Sequence, residues 1–284
     1  MQRVAVVGHV EHIEFLRVQR VPRAGEIVHV SEVWDEAAGG GAVAAVQLAK
    51  LAGAATLYTA LGDDVVGRAV PARLSRHGVR VMAAWRRAPQ RRGITFIDDD
   101  AERTIVVIGA RHQAAATDAL PWNEFATVDA VYFTAGDADV LRLARRARVV
   151  VATARVLPVL AEAGVVLDAI VRSASDPGEP DPSSLPVQPR FSVATEGERG
   201  GCYVDHVAGT RGRYQAAPLP GSPVDAYGCG DSFAAGLTFA LGAALPIGDA
   251  LAFAARCGAA SLTGRGPFGG QLSLRADDPL HTRV

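Results

Sequence analysis

From about residue 128 onward the chain sets β-branched runs against Ala/Leu/Arg-rich helical ones in alternation: AVYFTA, VLRLARRA, VVVATA, VLPVLAEAG, then LDAIVRSA, FSVATEG and GCYVDHVAG. Strands buried on both faces read as continuous apolar residues, and parallel neighbours need a crossover between them, usually a helix. The alternation therefore predicts an α/β fold with a central, mainly parallel sheet flanked by helices. The N-terminal part has the same rhythm. RVAVVGH (3–9) reads as a strand, GGGAVAAVQLAKLAG (39–53) as a helix behind three glycines, ATLYTALG (55–62) as a strand, and DVVGRAVPARLSRHG (64–78) as a helix stopped by Gly78. Two segments break the rhythm. EIVHVSEVWDE (26–36) alternates like a half-exposed strand, and GITFIDDDAERTIVVIG (93–109) reads as a hairpin around an acidic turn. The segments at about 10–37 and 91–110 are expected to form a small β-sheet lid able to cover a cleft. The Pro- and Ser-rich stretch 175–189 reads as a surface loop, and the 284 residues as one domain, 1–284.

Composition narrows the function. A chain 49% hydrophobic with formal net charge −1 supports a large core and argues against a nucleic-acid or anionic-membrane footprint. No uncharged apolar run approaches the roughly 18–20 residues of a membrane span. The N-terminus lacks the pattern of a signal peptide, and Cys202, Cys229 and Cys257 are too dispersed for a zinc motif. The expected location is cytoplasmic. The only lysine is Lys50, which excludes the Gly-Lys-Ser/Thr of a Walker-type phosphate loop, and VVGHVEHI lacks the Gly-x-Gly-x-x-Gly of a dinucleotide fold.

The most chemically suggestive stretch is VDAYGCGDSFAAGLTFAL (224–241). Gly228 and Gly230 allow positive φ and close backbone approach. The helix starting near Asp231 presents unpaired N–H groups and a positive dipole end, which together favour an anion. An aspartate there suits chemistry in which negative charge develops beside a deprotonating alcohol, namely phosphoryl transfer; a plain N-cap is the alternative. Cys229, between two glycines at a helix start, is open to a second reading as a low-pKa nucleophile, although no histidine lies near it in sequence to act as base.

DAYGCGDSFAAG resembles the C-terminal signature of the ribokinase-like (PfkB) carbohydrate kinases, Asp-Thr-x-Gly-Ala-Gly-Asp-x-Phe-x-x-Gly, with Asp225, Gly228, Gly230, Asp231, Phe233 and Gly236 matching and Ala226 and Cys229 departing. VPRAGEIV (21–28), GGGAVAAVQLAKLAG, ALGDDVVGRAV (60–70), AERTIVVIGA (101–110), VATEGERGG (193–201) and CGAASLTGRGP (257–267) resemble further family segments in the right order, so the resemblance covers nearly the whole chain. It implies a ribokinase-like fold and ATP-dependent phosphorylation of a hydroxyl on a small sugar, polyol or nucleoside-like acceptor, with Mg2+. It assigns Asp231 as general base and the amides of Gly228, Cys229 and Gly230 as anion hole. Thr195, Gly197, Gly200, Asp225, Ala255, Gly258 and Gly264 fall on the nucleotide side. Glu11, Glu14, Gly39, Gly40, Arg111 and His112 fall on the acceptor side. The family's sugar-binding Asn aligns with Val43, its early Asp with Ile13, and where an Asn-x-x-Glu organises magnesium SASD (173–176) offers Asp176. These departures keep a second expectation open, a nucleotide- or sugar-binding regulatory protein with little turnover. Family lids often pair between subunits, which implies a homodimer.

Overall fold

The computed structural model describes residues 2–274. In chain order its elements are β1 (Val4–Val7), β2 (Glu11–Arg17), β3 (Glu32–Ala38), α1 (Gly40–Ala52), β4 (Ala55–Gly62), α2 (Val65–Ser75), β5 (Val79–Arg86), β6 (Arg92–Ile97) and β7 (Arg103–Ile108). There follow β8 (Ala130–Phe133), α3 (Ala138–Ala144), β9 (Val149–Thr153), α4 (Leu157–Ala163), β10 (Ala169–Ser173), β11 (Phe191–Thr195), β12 (Gly201–Asp205), β13 (Thr210–Tyr214), α5 (Cys229–Gly242), α6 (Ile247–Leu262) and α7 (Gly266–Gly269).

The large sheet has nine strands in the order β13-β12-β11-β10-β9-β8-β1-β4-β5, parallel from β5 to β11 and antiparallel at β12 and β13. Its apolar strands are buried from both sides, as β1 shows: Val4 and Val6 join the core under α1, α5 and α6, while Ala5 and Val7 join the core under α3 and α4. Central parallel strands cannot tolerate polar faces, so the apolar runs read from sequence land where burial is two-sided. From β1 the chain builds outward to β4 and β5 on one side, then returns and builds β8 to β11 on the other. The sheet therefore has a switch point between β1 and β8. In open α/β sheets the crevice outside the carboxyl ends of the strands at such a point is where ligands bind.

The smaller sheet, β3-β2-β6-β7, combines a central parallel pair, β2 with β6, and two antiparallel outer pairs. An aromatic ladder joins it to the loop before α5. Phe15 stacks on Trp34 with centroids 5.1 Å apart and meets Tyr227 edge-on, also at 5.1 Å. Both expected lid segments thus supply strands of one sheet.

One expectation needs correction. The strand read over 26–36 begins only at Glu32, because Ile27 is 90% exposed and has no surface to pack against. The stretch 175–189 is a surface loop, as its composition predicts. The parallel crossover to β11 is the Pro-rich segment 174–190, which makes only a short 3-10 turn at Pro182–Ser184.

Candidate active site

Gly228 begins the turn into α5 with φ 81°, and a Cβ there would lie 2.8 Å from Val43 Cγ1, so both backbone angle and space demand glycine. Ser232 N donates to Gly228 O at 2.9 Å, the first intrahelical bond. The amides of Cys229, Gly230 and Asp231 are left without backbone partners among the described residues, an N-terminal set open to an anion. Helix α5 packs over β8 and β9, which carries this set to the switch point. The N-cap is Gly228 rather than Asp231, whose side chain caps nothing.

Asp231 is half-buried and faces Gly40: a Cβ on Gly40 would come 2.9 Å from Asp231 Oδ1 and 3.3 Å from Thr134 Oγ1. Burial raises the Asp231 pKa to about 6, and the Glu179 charge adds to this, followed at a distance by that of Glu11; the Arg103 and Arg155 charges pull the other way. A carboxylate tuned toward neutrality beside unpaired amides is equipped to accept a proton.

Asp225 has no exposed surface. Its carboxylate accepts from Tyr227 N at 2.8 Å and Gly266 N at 3.0 Å, and burial raises its pKa against those two bonds. It therefore fixes the loop to the start of α7 and does not face a ligand directly. The Tyr227 hydroxyl accepts from Gly39 N at 3.1 Å, tying the two glycine loops together. The Cys229 thiol runs against the nucleophile reading: burial pushes it up to about 11, outweighing the helix end.

On the lid side, period-two geometry separates the two glutamates. Glu11 shares the buried face of β2 with Ile13 and Phe15, whereas Glu14 lies on the opposite face with His12. Glu11 Oε1 is 2.8 Å from Arg91 Nε and 3.7 Å from His9 Nε2. A Cβ on Gly39 would sit 3.1 Å from Glu11 Cγ, so the neighbours Gly39 and Gly40 join the Glu11 group to Asp231. Arg111 is half-buried beside this group. His112 is buried, with Nε2 hydrogen-bonded to Pro89 O at 2.8 Å, so it braces the segment before Arg91 instead of reaching the cleft.

On the nucleotide side expected from sequence, Thr195 ends β11 in register with Ser173 of β10. Gly197 has φ 62° and open space around it, while a Cβ on Gly200 would strike Tyr214 O at 2.1 Å. Ala255 is buried in the packing of α6, Gly258 abuts Cys229 O (3.3 Å from a Cβ placed there), and Gly264 meets Gly270 N at 1.9 Å by the same measure. These three shape the wall behind the anion loop, Gly264 as a turn that admits no side chain.

Asp176 accepts from Gly178 N at 2.8 Å and from Arg155, and Glu179 accepts from Ser173 N at 2.6 Å and from Arg155 at 2.9 Å. Glu179 is the carboxylate that acts most strongly on Asp231. Its signal was present in the sequence, since Asp176 and Glu179 make an Asp-x-x-Glu spacing. Sequence reading also passed over Arg91, Arg155 and Tyr227. Arg91 and Arg155 stand at strand ends with no motif of their own.

The pfkB family carbohydrate kinase model matches residues 1–177 and 185–271. The chain belongs to that family. A ribokinase from Thermotoga maritima is similar over 100% of this chain and 99% of its own, at 17% identity and TM-score 0.77. An Arabidopsis thaliana ribokinase solved with ribose and ATP is 17% identical over 95% of this chain and 96% of its own, with TM-score 0.74. A nucleoside kinase from Methanocaldococcus jannaschii is 15% identical over 100% and 98%, with TM-score 0.73. No curated protein matches the sequence. At these identities the solved structures establish the ribokinase fold. Among the described residues no helix is long and apolar enough to cross a membrane.

Proposed function

We propose that this pfkB-family protein transfers the γ-phosphoryl group of ATP to a hydroxyl of a small sugar, polyol or nucleoside-like acceptor in the cytoplasm. The observation that carries the proposal is the position of Asp231, in the first turn of α5 behind unpaired amides, at the switch point and against Gly40. The acceptor hydroxyl gives its proton to an Asp231 carboxylate oxygen as its own oxygen forms the new bond to phosphorus. The bond from the γ-phosphorus to the bridging oxygen breaks, and ADP leaves. The amides of Gly228 to Asp231 offset charge on the transferring group, a task a Walker lysine performs elsewhere. Thr195 and Gly197 lie toward the nucleotide phosphates, and Gly258 and Gly264 toward the base.

The carboxylates suit magnesium in an outer role. Magnesium keeps several waters and binds substrate phosphates with one or two carboxylates. Among the described residues no group of three metal-ligating side chains exists. Glu179, hydrogen-bonded at both oxygens yet acting on Asp231, is the better placed partner, with Asp176 holding Arg155 beside it. Magnesium would neutralise charge between the phosphates.

The lid supports a homodimer. Strand β7 is the sheet edge, and Ile105 to Ile108 are all 41–49% exposed, an apolar edge that in isolation invites another strand. The closing test of function is ADP formation across a panel of acceptors. Acceptor-dependent turnover supports the kinase, whereas ATP binding with no turnover for any acceptor favours the regulatory reading.

A further inference from the structure

The acceptor side of Asp231 holds one guanidinium that no carboxylate pairs with among the described residues. Arg91 and Glu11 form an ion pair at 2.8 Å with side chains only 15% and 9% exposed. That pair accounts for one guanidinium. Arg111 is a second, half-buried where β7 returns from the lid, and no ion pair or hydrogen bond engages it among the described residues. Backbone anchors hold the two arginines together. His112 binds Pro89 O at 2.8 Å, and the Gln90 side chain is committed to Gly62 N at 2.9 Å and Val10 O at 2.7 Å, so residues 89–91 and 111–112 share one rigid corner.

His9 completes the corner. It is 7% exposed, Nδ1 has no partner, and burial with the Arg111, Arg91 and Arg155 charges lowers its pKa to about 3. It is therefore a neutral hydrogen-bonding group and cannot add a charge. Burial and the Arg91 charge also weaken the proton affinity of Arg111, while Glu11 partly restores it. Arg91 is paired with Glu11, and Arg155, the third guanidinium acting on His9, is paired with Asp176 and Glu179. Arg111 is thus the one half-buried guanidinium of this group without an ion pair among the described residues, which is unfavourable until an anion arrives. Arg91 and Arg111 would meet that anion with planar, multi-donor geometry suited to carboxylate or phosphate. The Gly39–Gly40 step fixes the scale. Glu11 touches the first glycine and Asp231 the second, so an anion at this corner lies within one small molecule of the hydroxyl to be phosphorylated. Thr195 ends β11, which β10, β9 and β8 separate from β1, whereas Glu11, Arg91 and Arg111 adjoin the lid strands β2, β6 and β7. The corner therefore lies on the lid side, away from the strand that carries Thr195. Val43 and Ile13 are fully buried and offer the acceptor no polar atom.

We infer that the acceptor carries its own anionic group, a carboxylate or a phosphate, held by Arg91 and Arg111 with His9 donating or accepting beside them. The class of acceptor is thus a sugar acid or a sugar monophosphate and not a neutral sugar. This rests on the kinase reading above and narrows it.

The test measures both binding and turnover. Wild type, Arg111→Gln and Arg111→Lys are titrated by calorimetry with gluconate, 2-ketogluconate, fructose 1-phosphate and fructose 6-phosphate, and with ribose, fructose and adenosine as neutral controls. The same compounds are then assayed for ATP consumption. The expected result is binding of one anionic class, with acid and phosphate arms telling the two sources apart. Arg111→Gln should raise the KM of that acceptor about 10–100-fold, the size of a lost charge-assisted hydrogen bond, with partial recovery in Arg111→Lys. The KM for ATP should stay within about threefold, a split that general destabilisation does not produce. Turnover with neutral acceptors alone would overturn the inference and leave the kinase standing. Anion binding that depends on Arg111 but yields no turnover would sustain the anionic pocket and sink the kinase. Absence of binding by every anion would overturn the inference as well.

Discussion

Asp231 and Gly40 are fitted to one another: a single methyl on Gly40 would stand 2.9 Å from Asp231 Oδ1, inside contact distance. Helix α1 and helix α5, far apart in sequence, meet here with their N-termini, and glycine is what lets the carboxylate stand open to the cleft.

Gly40→Ala should therefore injure catalysis more than folding. Residue 40 opens α1, where alanine is a better helix former than glycine. The added methyl displaces Asp231 or the acceptor by a fraction of an ångström to an ångström, and displacement on that scale costs about 100-fold in rate. Steady-state kcat should fall by about that factor, with a melting temperature within a few degrees of wild type.

The pH dependence follows from Asp231. Its raised pKa of about 6 means that the carboxylate is protonated, and unable to take a proton, below that value. The kcat/KM profile should climb with pH through about 6 and level off above, since it reports groups of the free enzyme. A limb near the ordinary aspartate value of 3.8 would contradict the burial argument.

The same shift sets a stability prediction with a definite sign. A carboxyl whose folded pKa lies above its unfolded one favours the folded state when protonated, and that contribution is lost as pH rises from about 4 through about 6. At pH 7 the charged Asp231 is a net burden. Asp231→Asn should be more stable than wild type at pH 7, by about 1–3 kcal/mol after allowance for partial exposure, and so melt higher, and the gain should vanish below pH 4. Thermal unfolding of both proteins at the two pH values decides it.

The exposed edge of the lid gives a test of assembly. Replacing Ile105 and Val107, 41% and 43% exposed, with glutamate should turn a dimer into a monomer in sedimentation or light scattering, at nearly unchanged monomer fold. An assembly that survives both substitutions would rule out the β7 edge as the dimer contact.

Much of the frame was legible in the sequence, because two-sided burial forces continuous apolar strands such as VAVV and VVVAT, and crossover helices must separate them. The glycine turn before Asp231 was legible for the same kind of reason: positive φ and close approach leave few residue choices. What sequence could not supply was facing. Glu11 and Glu14 look alike on paper, and only the pleat and the position of β2 in its sheet assign them to opposite faces. Arg91, Arg111 and Arg155 are three of many arginines, and their convergence on His9 depends on loops from distant parts of the chain. Glu179 sits in a loop whose composition signals irregular structure, and its Asp-x-x-Glu spacing from Asp176 is the one cue to it. Asp225, matched within a motif, is an internal brace for the loop.

The most direct measurement is acceptor-dependent ATP turnover by wild type and Asp231→Asn, alongside ATP binding by both. Loss of a proton acceptor aligned with the hydroxyl should lower kcat by about 100- to 10,000-fold, with ATP affinity changed by less than about threefold. Equal turnover in the two proteins would contradict the assignment of Asp231 as the base.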